Sequence, residues 1–222
     1  MTDEILAKLA AMSDIWEKLI VLLIGWLMGL LAPTIVDGIK RKRENKLGRE
    51  AILAELHDLS SVLATVTYLV RIREGTLDRD FFIWLKSIYD WGERTEEYTN
   101  RSKRIDIQLA WSDEEIAQFA ALGEQNDGKS AVLQKYPVPL LDSRVSALWS
   151  FDTDFQRKLL EIRQLSHRLD DLVDRSRKLH DMTFSTLSDE NRAAVQNNIQ
   201  ETLSLYGRTA KRTVDKIVAL KG

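Results

Sequence analysis

The sequence predicts an all-α protein, with one N-terminal transmembrane helix followed by a cytosolic antiparallel bundle of about four long helices. Three observations carry this expectation. Only 10 glycines and 3 prolines interrupt 222 residues, so long helices are favoured. One uncharged apolar run lies near the N-terminus. Beyond it, apolar residues recur at spacings of three and four, without strand-forming alternation.

Composition narrows the class. Charged residues make up 30% of the chain, too many for a polytopic membrane protein, and hydrophobic residues 44%, too many for a disordered one. The 32 basic and 34 acidic side chains give a net charge of −2, with no global attraction to nucleic acid. There is no cysteine, which removes disulfides, thiolate metal sites and cysteine nucleophiles.

Residues 19–36 read LIVLLIGWLMGLLAPTIV, without a charge. As a helix this run is about 27 Å long, close to the ~30 Å hydrocarbon core of a bilayer. A helix also satisfies its own backbone groups in lipid. A cleaved signal peptide fits poorly, because Asp3 and Glu4 make the start acidic and no small-x-small site follows. Residues 1–18 form a short outer tail, in which Ile5, Leu9, Met12 and Trp16 have helical spacing. Residues 37–50 form a basic juxtamembrane segment. The tail has two basic residues, Lys8 and Lys18, whereas 37–50 has six, including Lys40, Arg41, Lys42 and Arg43. The positive-inside rule therefore expects the N-terminus outside and the C-terminus in the cytosol of an inner membrane. The same basic run is a topogenic signal and a contact for lipid headgroups. Gly25 and Gly29 form GxxxG, a candidate helix-pairing face for homo-oligomers, although the pattern also arises by chance. Pro33 is expected to kink the inner end of the span or to break it from the next helix.

Residues 51–222 form the expected cytosolic bundle. Ile52, Leu56, Leu59, Leu63, Val66 and Val70 make a seam of a and d positions, which Gly75 ends and after which Thr76 caps the next helix. That second helix is expected from about Leu77 to Tyr98. It carries Phe81, Phe82, Trp84, Tyr89 and Trp91, mostly core, with Phe81, Phe82 and Trp84 as a candidate surface for a cytosolic protein partner. Ser112 and Glu115 have the spacing of a capping box for a short helix ending near Gly123. GEQNDGKS reads as a loop and YPVPLL as an extended connection. A third helix of about 40 residues, or about 60 Å, is expected from Ser143 to Met182. Its stripe runs from Leu148 through Phe151, Phe155, Leu159, Ile162, Leu165, Leu169, Leu172 and Leu179 to Met182. Ser188 caps the fourth helix, with a stripe of Val195, Ile199, Leu203, Tyr206, Ala210, Val214 and Ile217. Residues 59–70 also lack charge. As a second span they are short, and extending them inward would bury Glu55, His57 and Asp58.

Little points to chemistry. His57, His167 and His180 have no metal-ligand spacing. Asp170 and Asp174 share a helix face and could hold a cation, but Arg168, Arg175, Arg177 and Lys178 nearby favour a solvated ion-pair face. No phosphate-binding, dinucleotide or nucleophile motif is present. No enzymatic activity and no cofactor are expected. The basic end of the fourth helix, Arg208, Lys211, Arg212, Lys216 and Lys221 against Asp215, is read first as a solvated helix end. A lipid or nucleic-acid contact is the competing reading, and nucleic acid is disfavoured.

In outline, the span LIVLLIGWLMGLLAPTIV, its KRKR flank and the helical remainder resemble the small membrane effectors of bacterial anti-phage systems, such as those encoded beside retrons. The resemblance is architectural and implies a membrane-perturbing effector with a cytosolic sensor or docking bundle. The alternative is a non-enzymatic anchor or scaffold that recruits a cytosolic partner.

Overall fold

In the computed structural model the chain is all-helical, with seven α-helices and no strand among the described residues. The described backbone covers residues 2–91, 96–125, 133–144, 148, 150–186 and 188–220. Within it, the side chains of 2–15, 17, 18, 31–35, 41, 97, 124 and 125 lie outside the description. Two compact units divide the chain, Met1–Glu50 and Ala51–Gly222.

Helix α1 spans Thr2–Arg73, so the first unit is helical through Pro33. The expected break at Pro33 is absent. Proline removes one amide donor, and the helix carries on past that single loss. Among the described residues no helix is long and apolar enough to cross a membrane. The apolar run with described side chains is 19–30, about 18 Å of helix. The expectation of a span over 19–36 draws on 31–35 as well, whose side chains lie outside the description.

The second unit is built around residues 51–73 of α1. Ile52, Leu56, Leu59, Leu63 and Val70 are buried, and Val66 is partly buried, so the seam read from sequence is core. This face is wider than a two-helix seam, because Ser60, Ser61, Ala64 and Thr67 are buried too. The hydroxyls find local acceptors: Ser60 donates to the His57 carbonyl, and Thr65 and Thr67 donate to carbonyls four residues back. A helix can thus bury short polar side chains without leaving a donor unpaired. With this face in the protein core, residues 59–70 belong to the bundle rather than to a second membrane segment.

Gly75 ends α1 at φ 64°. The Thr76 amide donates to Arg71 O at 2.9 Å and the Gly75 amide to Ile72 O at 3.1 Å, the paired bonds of a Schellman motif. Thr76 is consumed by that motif and does not cap the next helix. Asp78 does, accepting from the Phe81 amide at 2.7 Å. Helix α2 runs only from Arg79 to Tyr89, and α3 from Glu96 to Leu109. The single helix expected over 77–98 is therefore two. The Trp91 amide turns back to Ile88 O, and the Trp91 carbonyl accepts from His57 Nε2 at 2.6 Å, so it is taken up by a side chain at the break.

The capping box is present at α4 (Asp113–Gln125), where Ser112 and Glu115 exchange backbone-to-side-chain bonds in both directions. Arg79 ties α2 to this turn. It donates to Leu109 O, Trp111 O and Asp113 Oδ1 at 2.8, 2.6 and 2.8 Å. Arg79→Ala leaves helix-terminal carbonyls unpaired and should cost roughly 1–3 kcal/mol in urea unfolding, the range for hydrogen bonds to charged groups.

The short α5, Pro139–Ser143, has Val138 at its cap position and no side-chain acceptor of its own. Glu55 of α1 supplies one, its two carboxylate oxygens accepting from the Leu140 and Leu141 amides at 2.8 and 2.9 Å. Glu55→Ala should destabilise the unit by about 1 kcal/mol, as loss of an N-cap does. Glu55→Gln, which keeps one acceptor, should recover part of it.

Helix α6 spans Thr153–Thr183 and α7 spans Asp189–Val218. The helix expected from Ser143 begins ten residues later, because Asp152 caps it through the Phe155 amide. Ser188 caps α7 as expected. The two helices form an antiparallel hairpin: Lys158 near the start of α6 reaches Ala219 O, and Glu161 pairs with Lys216 at 2.8 Å. The apolar stripes are buried as the sequence indicated, except that Phe151, Leu179 and Ile199 are half-buried and Met182 is exposed.

Candidate functional site

The first unit presents an unusual surface. Side chains from Leu19 to Leu30 are exposed on every face, with Val21 at 70%, Leu22 at 72% and Met28 at 68%. Twelve successive positions turn more than three times around a helix, so no polar face is left. Gly25 and Gly29 lie on one side of this surface. A Cβ added at either would meet nothing within 4 Å. Nothing among the described residues therefore requires glycine at these two positions, and the smooth strip they form faces outward.

The basic run follows. Lys40 pairs with Glu44 at 4.0 Å and Lys46 with Glu50 at 3.9 Å, both between exposed groups of little energetic weight. Lys42 and Arg43 are exposed, with no carboxylate partner among the described residues. The Arg41 side chain lies outside the description.

The aromatic cluster of α2 is not an open surface. Phe81 and Phe82 are 2% and 0% exposed. The expectation that they form a partner face with Trp84 is corrected: both rings fill the core, tilted against each other and facing Tyr68. Trp84 is partly buried. Its indole N–H donates to Asp215 at 2.8 Å, and the Lys211 ammonium lies 4.7 Å above its ring centre. The basic end of α7 is likewise engaged within the chain. Lys211 pairs with Asp215 at 3.0 Å, and Arg212 and Lys216 reach Glu161. These contacts hold the Glu161 carboxyl below its usual range, Lys216 foremost. Arg208 remains exposed, and Lys221 lies outside the described residues.

The titratable groups singled out in sequence have structural roles. The His57 ring packs tilted against Trp91 and Tyr98, and His167 lies 3.9 Å from Asp142. Asp174 pairs with Lys135 at 2.7 Å, whose hydrogen bond holds the carboxyl low, while burial pushes Asp170 up. Among the described residues no group of three acidic or histidine side chains is placed to hold a metal. One cluster was not foreseen. Ser102 Oγ donates to Asp90 at 2.7 Å and accepts from Lys86 at 3.2 Å, and Lys86 also pairs with Asp106 at 2.8 Å. Spaced along two helices, these residues leave no linear motif. The Asp106 hydrogen bond raises the Lys86 pKa, so this lysine stays protonated and is no base for the serine. The cluster pins α2 to α3.

No family model, curated protein or solved structure matches the chain.

Proposed function

We propose that the chain is a single-pass inner-membrane protein, N-terminus outside, that perturbs the membrane as an effector of the anti-phage type, pairing through Gly25 and Gly29. The observation that carries this reading is the all-round exposure of uncharged apolar side chains over residues 19–30. In water so large an apolar surface is costly, and a bilayer is the medium that removes the cost. The sequence run 19–36 has the length to cross it. The exposed Lys42 and Arg43 suit the cytosolic headgroup layer. The open glycine strip allows close backbone approach of a second copy. Residues 51–222 then serve as the cytosolic sensing or docking bundle. An anchor that recruits a partner is the weaker reading, because Phe81 and Phe82, its proposed docking residues, are spent in the core.

Induced expression in bacteria, followed with a potential-sensitive dye and viable counts, tests this. Full-length chain in the membrane fraction should collapse the potential. Gly25→Leu with Gly29→Leu should remove the effect while leaving the chain in the membrane. An integrated chain that leaves potential and viability intact even with its cognate trigger present would sink the effector reading and leave the anchor.

A further inference from the structure

Two branched apolar side chains of α1, Val36 and Ile39, stand 60% and 64% exposed. Ile39 follows the uncharged run and lies beside the basic residues. There an exposed isoleucine gains from a partner surface. Its position on the helix says which surface. Gly25, Gly29, Ala32, Val36 and Ile39 succeed one another at spacings of four, three, four and three. Helix α1 is unbroken through all of them, so they fall within an arc of roughly 80°. Asp37 and Gly38 are also exposed, but lie roughly 120° and 140° from the middle of that arc.

Two glycines four residues apart permit two kinds of pair. One is a right-handed crossing of about 40°, centred on the glycines, from which the helices diverge. At Ile39, about 18 Å along the helix from that centre, the axes would be displaced sideways by roughly 12 Å. The other is a left-handed pair crossing at about 20°. Its helices coil around each other and keep one seam in contact when small or apolar positions recur about every 3.5 residues. Spacings of four and three in alternation are that repeat, and Val36 and Ile39 continue it past the glycines. Two copies inserted with the same orientation lie parallel, so each position meets its own counterpart.

We infer that α1 pairs with a second copy of this chain as a left-handed parallel coil, whose seam runs from Gly25 and Gly29 through Val36 to Ile39. This rests on the glycine pairing proposed above and adds its handedness and its extent. Arg43, four residues after Ile39, is exposed and keeps the spacing. In a parallel pair it faces its own copy, and like charges repel, so the seam ends there.

The chain has no cysteine, so a single introduced cysteine reports its own position. Full-length variants with one cysteine, at Gly29, Val36, Asp37, Gly38 or Ile39, are oxidised in native membranes and separated on non-reducing gels. A disulfide requires Cα atoms within about 7 Å. Gly29→Cys, Val36→Cys and Ile39→Cys should each give a dimer several-fold stronger than Asp37→Cys and Gly38→Cys. Arg43→Ala added to Ile39→Cys should raise its dimer about twofold, the effect of removing one like-charge contact. An unchanged yield overturns the end of the seam at Arg43. Dimer at Gly29→Cys with only control levels at Val36→Cys and Ile39→Cys overturns the inference and leaves the glycine pairing standing. That is the result expected of a right-handed crossing, or of side chains covered by lipid. Dimer at no position overturns the inference and the pairing together. Equal dimer at all five positions, the mark of random collision, overturns the inference as well.

Discussion

On the proposed membrane reading, aspartate at both Leu23 and Leu27 should move the full chain out of the membrane pellet and into the soluble or aggregated fraction. Both positions lie mid-run and are exposed, at 56% and 43%, so neither change disturbs packing within the chain. Each aspartate at the centre of a spanning helix costs roughly 2.5–3.5 kcal/mol, and each lost leucine forfeits a further fraction. Two together cost roughly 5–7 kcal/mol on that scale, enough to reverse insertion. Carbonate extraction followed by immunoblotting reads the result. Leu23→Ala with Leu27→Ala is the control, since it removes apolar area without adding charge. A double-aspartate chain that stays carbonate-resistant would show that residues 19–36 are not what holds the protein to a membrane.

The second large effect concerns two glycines inside the bundle, whose situation is the reverse of Gly25 and Gly29. A Cβ on Gly207 of α7 would sit 2.7 Å from Val70 Cγ1 and 3.1 Å from Val70 Cβ on α1. A Cβ on Gly123 of α4 would sit 2.5 Å from the Ile72 carbonyl oxygen. In helices, Gly→Ala ordinarily stabilises by about 1 kcal/mol. Here close approach overrides propensity, and overpacking of about 1–3 kcal/mol is expected, with larger losses for valine. The two sites should part in their response to repair. Val70→Ala removes the methyl groups that meet position 207, so the double variant Gly207→Ala, Val70→Ala should lose less stability than the two single losses added together. Trimming Ile72 removes its Cγ2 from the path but cannot fully repair Gly123→Ala, because the Ile72 carbonyl oxygen remains in the way. Urea denaturation of the four-member cycle measures the coupling. Simple additivity at 207 and 70 would mean that the helices separate freely there.

Much of the bundle was legible one residue at a time. The stripe of α7 from Val195 to Ile217 and that of α6 from Phe155 to Leu172 are buried almost position for position. The box at Ser112 and Glu115, the stop at Gly75 and the cap at Ser188 are also where the sequence puts them. Each is a local device, decided within a turn or two of helix. The boundaries that failed were decided by distant partners. Tyr89 to Tyr98 reads as continuous helix until His57, 34 residues earlier, takes the Trp91 carbonyl. Residues 139–143 become a helix of their own because Glu55 on α1 caps them. Periodicity marks which face of α2 is apolar, but it cannot say whether that face meets the core or a partner. The burial of Phe81 and Phe82 does.

By itself, then, the sequence determined that the protein is all-helical, which faces of its long helices are apolar, and where a local cap or glycine ends them. All of these follow from spacing and side-chain chemistry within a few residues. Only the tertiary structure decided that the aromatic cluster is core, that Glu55 and Arg79 cap helices other than their own, and that Gln108 bonds the Tyr68 hydroxyl. These are meetings between residues on different helices, 13 to 86 positions apart for Tyr68 with Phe81 and Glu55 with Leu141, and no local pattern records which distant side chain will arrive.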